Sequence, residues 1–217
     1  MKDKKLLSDI KEYLKCYEDQ VLEDWYELIR HISVSETGEG IETCCDWIQK
    51  KMEEIGIQVT KYSVKPAPVL VGRFGNDPEK KTVLIYAHYD VKPAGERKLW
   101  HSDPFVPTVS DGKVYARGSA DNKSPLMAHL KALEYFIRRK MEVPVNVIFV
   151  FEGDEECGSR GLEEFLAEHR TELAADLVFF SDGPKDPSGL PIIALGAKGD
   201  LSIHITVETM NRNVHAR

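Results

Sequence analysis

Three uninterrupted apolar runs constrain the fold of this chain more than any other feature of its sequence. They lie at 83–87, 147–151 and 177–180, and segments with helical periodicity separate them. Strands that are apolar on both faces are typical of a mostly parallel sheet covered by helices on both sides. Alternating strands and helices also imply right-handed crossovers. The sequence therefore predicts an α/β fold around three inner strands.

The remaining elements follow from the spacing of apolar residues. Helices are predicted where these residues recur every three or four positions, at 6–28, 41–55, 125–140 and 162–173. Further strands are predicted at 57–64, 69–74, 82–88 and 113–115. Gly56 is expected to end the second helix in a left-handed conformation. His129 shares the apolar face of the third helix, which favours a packed histidine over a ligand.

The pattern changes towards the C-terminus. From Leu201 to Val207, apolar and polar residues alternate, which indicates a half-buried strand. We therefore predict one large domain over 1–197 and the beginning of a second, α+β domain over 198–217. His204 belongs to the polar side of this strand and is expected to be solvated.

Composition excludes several classes of protein. The 217 residues carry a net charge of -7, and no basic stripe is present, which argues against a nucleic-acid partner. The apolar runs are far shorter than the roughly 20 residues that a membrane span needs. The four cysteines show no C-x-x-C spacing and are expected to be reduced. We expect a cytoplasmic protein without a membrane partner.

Hard oxygen and imidazole donors follow the apolar runs, at the edge where open α/β sheets bind ligands. The residues concerned are His88, Asp90, Asp121, Glu155, Glu156 and Asp182. Crowded carboxylates are unfavourable unless a cation or solvent relieves their charge. Structural alternatives remain open, among them solvated acidic loops, helix N-capping by Asp121, Asn122 or Ser124, and a Ser-Asp-Gly-Pro turn at Asp182.

The spacing of these residues suggests which of them could bind metal, which could support a ligand and which could transfer a proton. His88 and Asp90 are two residues apart, so on extended backbone both side chains point to the same side. A histidine ligand usually donates its second N–H to a carboxylate or carbonyl, and Asp90 could accept it. The two oxygens of Asp121 could bridge two cations. Of the adjacent Glu155 and Glu156, one could bind metal while the other acts as a general base.

Four short motifs carry a family resemblance. They are H-Y-D-V-K-P-A at 88–94, Trp100 with D-P-F at 103–105, D-G-K-V-Y-A-R-G at 111–118 and E-G-D-E-E at 152–156. These motifs resemble the metallopeptidase M20 family, in its carnosine dipeptidase and glutamate carboxypeptidase branch. The similarity extends from about 82 to 184 and again near the C-terminus. One departure is that the family usually has a second Asp followed by Lys-Gly where this chain has Asn122, Lys123 and Ser124.

The resemblance implies a zinc-peptidase catalytic domain with two zinc ions, for which cobalt or manganese are the alternatives. It implies His88 and Asp182 as ligands of one zinc, Glu156 as a ligand of the other, and Asp121 as a bridge between them. Family members have a late histidine that completes the Glu156 site. No candidate for this late histidine is found in the 217 residues.

The resemblance also implies roles for residues around the metals. Asp90 would support His88, Glu155 would be the general acid/base, and a cis peptide would join Asp121 to Asn122. The motif V-H-A-R at 214–217 resembles one from the lid domain of the family, whose histidine stabilises the transition state in a neighbouring subunit. His215 is therefore a candidate substrate-binding residue.

The predicted function is metal-dependent hydrolysis of an amide bond in dipeptides or N-acyl amino acids. The full-length form is expected to be a homodimer, with the lid domain forming the dimer, and the 217-residue chain a monomer. The alternative is a catalytically incomplete chain that folds and binds metal without turnover. On either interpretation the 217-residue chain itself is expected to be inactive.

Overall fold

The apolar runs form neighbouring strands of one sheet in the computed structural model of the chain. The strands in the described residues are β1 (Gln58–Tyr62), β2 (Val69–Phe74), β3 (Thr82–His88), β4 (Thr108–Ser110), β5 (Lys113–Tyr115), β6 (Asn146–Glu152) and β7 (Leu177–Phe180). Five of them form a sheet in the order β1-β2-β6-β3-β7, while β4 and β5 form a separate hairpin. β3 pairs parallel with both β6 and β7, and β2 pairs antiparallel with β1 and β6. The predicted α/β fold is confirmed, with a parallel centre to the sheet.

Helices cover both faces of this sheet. They are α1 (Lys2–Arg30), α2 (Ile41–Glu54), α3 (Lys123–Arg138) and α4 (Leu162–Glu168). On one face Leu28, Ile48 and Leu126, from the first three helices, share a buried cluster with Phe149 of β6. On the other face Phe165 of α4 packs in a second cluster with side chains of β2, β3 and β6. The burial of these apolar side chains on both faces fixes the position of β3 and β6.

Element boundaries agree closely with the predicted ones, with one clear exception. Gly56 has a φ of +85°, two residues after the end of α2 at Glu54, in the predicted left-handed conformation. α4 ends at Glu168, five residues before the predicted end at Leu173. His169 stacks against Tyr62 and Phe165 at this point. Leu173 is nevertheless buried in the second cluster, which explains the helical periodicity of the sequence beyond the helix.

The prediction that β7 is an inner strand is wrong for the described part of the chain. β7 pairs there with β3 alone and forms an edge of the sheet. Its four side chains, from Leu177 to Phe180, are between 47% and 60% exposed. Apolarity on both faces predicted the strand correctly, but it does not reveal how many neighbours a strand has.

The structure describes residues 2–183, 188, 190, 192–193, 199, 201 and 203–207. Contacts divide the chain into two units, Met1–Asp182 and Gly183–Arg217. The predicted domain boundary at 197/198 lies outside the described residues and stays a prediction. The described residues of the strand predicted from Leu201 to Val207 are exposed and do not form a strand.

The described residues bear on two predictions made from composition, one about membrane spans and one about the cysteines. None of the helices described there is both long and apolar enough to cross a membrane. All four cysteines are free thiols; Cys44 and Cys45 are buried, and Cys16 is exposed. The prediction of unpaired cysteines is therefore confirmed.

Candidate metal centre

His88 is fixed at the carboxyl end of β3 with one ring nitrogen already engaged. Its side chain is fully buried. Nδ1 lies 3.1 Å from the carbonyl oxygen of Asp90 and 3.3 Å from Oδ1 of the same residue. When Nδ1 carries the proton and donates it to Asp90, the lone pair of Nε2 is free to bind a cation.

Two further carboxylates converge on that free nitrogen. Oδ1 of Asp121 lies 3.0 Å from Nε2 of His88, and Oδ2 of Asp182 lies 3.3 Å from it. One donor atom from each of the three residues lies within 4.8 Å of the others. The side chain of Asp121 is 64% exposed, so the group is open to solvent. His88 and Asp182 follow the parallel strands β3 and β7, whose carboxyl ends meet at one edge of the sheet.

Asp90 connects His88 to the acidic loop at the end of β6. This fully buried carboxylate accepts hydrogen bonds from the backbone N–H groups of Glu155 and Glu156, each at 3.1 Å. Oε2 of Glu155 is thereby held 3.8 Å from Nε2 of His88. Asp90 therefore positions both the imidazole and the two adjacent glutamates.

Glu156 is not part of the group formed by His88, Asp121 and Asp182. Its Oε2 lies 3.5 Å from Nζ of Lys92, which also donates a hydrogen bond to the carbonyl oxygen of Glu156. The sequence pattern does not single out Lys92, although its place four residues after His88 puts it at the same edge of the sheet.

Glu152 and Asp154, the other acidic residues at the end of β6, are not part of this group. Glu152 accepts hydrogen bonds from the Tyr86 hydroxyl at 2.5 Å and the Ser159 hydroxyl at 2.8 Å. Asp154 pairs with Arg160 at 2.7 Å. Two of the four acidic groups at the end of β6 are therefore stabilised by protein partners, and the two adjacent glutamates, Glu155 and Glu156, lie nearer to His88.

The structure bears on the N-capping alternative at Asp121, whose role as a ligand stays a prediction. α3 begins at Lys123 with Asn122 as its N-cap, and Asn122 makes no capping hydrogen bond through its side chain. Asn122 instead donates from Nδ2 to the carbonyl oxygen of Ser181 at 3.0 Å, which connects the loop of Asp121 to the loop of Asp182. The predicted cis peptide between Asp121 and Asn122 is present.

The carboxylates around His88 raise the pKa of its imidazole. Burial by itself lowers the pKa of His88, but the hydrogen bond to Asp90 and the charges of Asp90, Glu155 and Asp121 together raise it to about 9. The surrounding carboxylates thus favour a positive charge at this position. An imidazole with several carboxylates is a donor set that suits zinc and similar divalent ions.

The pKa values of two carboxyl groups near His88 are shifted in opposite directions, that of Glu155 upwards and that of Asp90 downwards. Burial raises the pKa of Glu155, and the neighbouring charges of Glu156 and Asp182 raise it further, against the opposing charge of His88. Burial also acts to raise the pKa of Asp90, but hydrogen bonds from His88 and Ser35 lower it below its usual value. Asp90 is therefore held as a carboxylate, whereas Glu155 is the more basic group.

These pKa values predict how zinc binding depends on pH. A cation must displace the proton that His88 carries below a pKa of about 9. Apparent zinc affinity should therefore rise between about pH 6 and pH 8, by up to roughly tenfold per unit if one proton is released. Titration with a competing chelator of known pH dependence measures this. A flat or falling affinity would contradict a site that contains His88.

The remaining histidine candidates lie outside this group or outside the described residues. His129 is partly buried on α3 and packs edge-on against Phe179, in agreement with a packing role. His204 is exposed, as predicted. His215 lies outside the described residues, so its role stays a prediction.

The fold and the donor set together define an α/β protein with a candidate metal centre at the carboxyl edge of its sheet. Residues 84–215 match the model of peptidase family M20/M25/M40. The chain therefore belongs to this peptidase family, and the resemblance inferred from the motifs is confirmed.

Several characterised proteins are similar to this chain. The Cys-Gly metallodipeptidase dug1 of Schizosaccharomyces pombe is 40% identical over 172 residues, covering 76% of the chain and 36% of that protein. The human Beta-Ala-His dipeptidase is 36% identical over 151 residues, covering 69% of the chain and 30% of that protein. The crystal structure of human carnosine dipeptidase 1 superposes with a TM-score of 0.78 at 30% identity, covering 82% of this chain and 41% of that one. The chain thus spans about a third of the length of the curated relatives it matches.

Proposed function

We propose that this chain carries the metal centre of a metal-dependent peptidase that hydrolyses the amide bond of dipeptides or N-acyl amino acids. The observation that carries the proposal is the convergence of Asp121 and Asp182 on Nε2 of His88, with Glu155 at 3.8 Å from the same atom. Membership of the peptidase family and similarity to proteins named as dipeptidases support the same reaction class.

We assign the ligands as two sets that share Asp121. His88 and Asp182 would bind one zinc, Glu156 the other, and Asp121 both. The distances around Nε2 of His88 support the first set. The second set requires Glu156 to leave Lys92 for a cation. Cobalt and manganese are the alternatives, because the same imidazole and carboxylate donors bind them.

The residues of the chain then supply binding and proton transfer. Divalent ions held by His88, Asp121, Glu156 and Asp182 would polarise a substrate carbonyl and lower the pKa of a nearby water. Glu155, with its raised pKa, accepts a proton from that water and passes it to the departing amine nitrogen. Asp90 holds the imidazole of His88 and the backbone of Glu155 in position throughout. His215 would support the developing oxyanion, a role that rests on the sequence motif.

Substrate class, assembly and location are part of the same proposal. Relatives named for Cys-Gly and Beta-Ala-His make dipeptides the first substrates to test. We propose a homodimer for the full-length protein and a cytoplasmic location, with no nucleic-acid or membrane partner.

A chain that binds metal without turnover is the second candidate. The observation in its favour is that Glu156 pairs with Lys92, so that the second ligand set is not assembled among the described residues. Both candidates predict zinc binding through His88, and only the first predicts hydrolysis.

An assay of amide hydrolysis separates the two candidates. We expect the whole protein to release amino acids from Cys-Gly or β-Ala-His, to lose this activity after treatment with a chelator, and to regain it with zinc. Hydrolysis that survives complete metal removal would contradict the proposed function, while zinc binding without hydrolysis would favour the second candidate.

A further inference from the structure

Lys123 is a lysine buried in the interior beside the candidate metal centre. It is the first residue of α3, two residues after Asp121, and its side chain is 1% exposed. Among the described residues, no carboxylate lies within ion-pairing distance of its ammonium group. Burial of a charged group is costly unless hydrogen bonds compensate for it. A specific set of acceptors must therefore hold this side chain in place.

Those acceptors lie at the end of another helix. Nζ of Lys123 donates hydrogen bonds to the carbonyl oxygens of Leu28 at 3.1 Å and His31 at 2.5 Å. The last carbonyls of a helix have no partner within the helix, and they carry a partial negative charge that favours a cation. Lys123 therefore attaches the first turn of α3 to the C-terminal end of α1.

The segment that follows α1 is bonded in turn to the loop of His88 and Asp90. The Ser33 hydroxyl donates to the carbonyl oxygen of Tyr89 at 2.6 Å, and the N–H of Val91 donates to the carbonyl oxygen of Ser33 at 2.8 Å. The end of α1 thus has two connections to the candidate metal centre. Ser33 links it to the loop that carries His88, and Lys123 links it to the loop that carries Asp121.

Close packing fixes the stem of Lys123 as well. Gly118 has a φ of +78°, and a Cβ atom there would lie 3.3 Å from Cδ of Lys123 and 2.7 Å from Cγ1 of Val91. The loop from Gly118 to Lys123 therefore passes directly over the residues that follow β3. Displacement of the lysine would remove one of the contacts that hold Asp121 near His88.

We propose that Lys123 is a positioning residue of the metal centre: its ammonium group anchors the loop of Asp121 to the end of α1, so that Asp121 meets His88. This inference rests on the proposed metal centre. It assigns Lys123 no contact with metal or substrate.

Lys131 offers a matched control on the same pair of helices. It also lies on α3, its side chain is 14% exposed, and it pairs with Asp24 of α1 and, at 2.6 Å, with Glu134. Eight residues separate it from Lys123, about 12 Å along the helix. Replacement of Lys131 therefore removes an attachment of α3 to α1 without disturbing the loop of Asp121.

Zinc affinity of the 217-residue chain tests the inference. We would measure it with a competing chelator for the wild type, Lys123→Met and Lys131→Met, together with the unfolding temperature of each metal-free protein. Lys123→Met should bind zinc about 10- to 100-fold more weakly, the range found for residues that orient metal ligands. Lys131→Met should stay within about twofold of the wild type, whatever its unfolding temperature.

Each other outcome overturns the inference. Unchanged affinity in Lys123→Met would show that the lysine does not position Asp121, and an equal loss in both variants would show that α1–α3 packing alone is responsible. If Lys123→Met does not fold, Lys123→Gln takes its place. If neither variant folds while Lys131→Met does, the role of Lys123 is to stabilise the protein core, and the inference is overturned. A wild type that binds no zinc would refute the proposed metal centre itself, a distinguishable result.

Discussion

The Glu155→Gln variant of the active enzyme is expected to retain its metal while its kcat falls by about 100- to 10,000-fold. The carboxylate lies 3.8 Å from Nε2 of His88, next to the group of ligands, and its pKa is raised by burial. Glutamine keeps the size of the side chain and the backbone hydrogen bond to Asp90, but it cannot accept a proton from water. Steady-state kinetics and metal analysis of the same preparation measure both effects.

The neighbouring glutamate provides the control for this experiment. Glu156→Gln alters a proposed ligand, so it should lower both metal content and activity. Glu163 is an exposed residue of α4, and Glu163→Gln should change neither. If Glu155→Gln keeps its activity, or loses metal together with activity, then the role of general base has been assigned to the wrong residue.

Much of the fold could be predicted because the local pattern of apolar residues indicates which segments form helices and strands. The ranges of β2, β3, β5 and β7 agree with the prediction residue for residue. Continuous apolarity is typical of a strand covered on both faces, which holds for β6 but not for the described surroundings of β7. The order of the strands and the edge position of β7 depend on tertiary contacts, which no local pattern contains.

The candidate site was predictable to a similar extent and for a related reason. His88 and Asp182 follow parallel strands that pair with each other, so their convergence follows from the fold once the strands are recognised. Asn122, Lys123 and Lys92 could not be found in this way. Their partners are backbone carbonyls and a glutamate at least 59 residues away, and such contacts exist only in the folded chain.

The second prediction with a large effect concerns His88. Removal of its imidazole should reduce zinc affinity by at least about 100-fold, because Asp121 and Asp182 would lose the ligand on which both converge. Asp182→Asn, which preserves the shape of its side chain, should also weaken zinc binding. His101→Ala, at an exposed histidine outside the group, should bind zinc as the wild type does. Circular dichroism of each metal-free variant separates loss of a ligand from loss of the fold.

Zinc titration of the wild type and His88→Ala, followed by elemental analysis after removal of free metal, tests the metal centre most directly. We predict that the wild-type chain retains zinc and that the folded His88→Ala variant does not. Equal zinc content in the two proteins would contradict the assignment of His88, Asp121 and Asp182 as metal ligands.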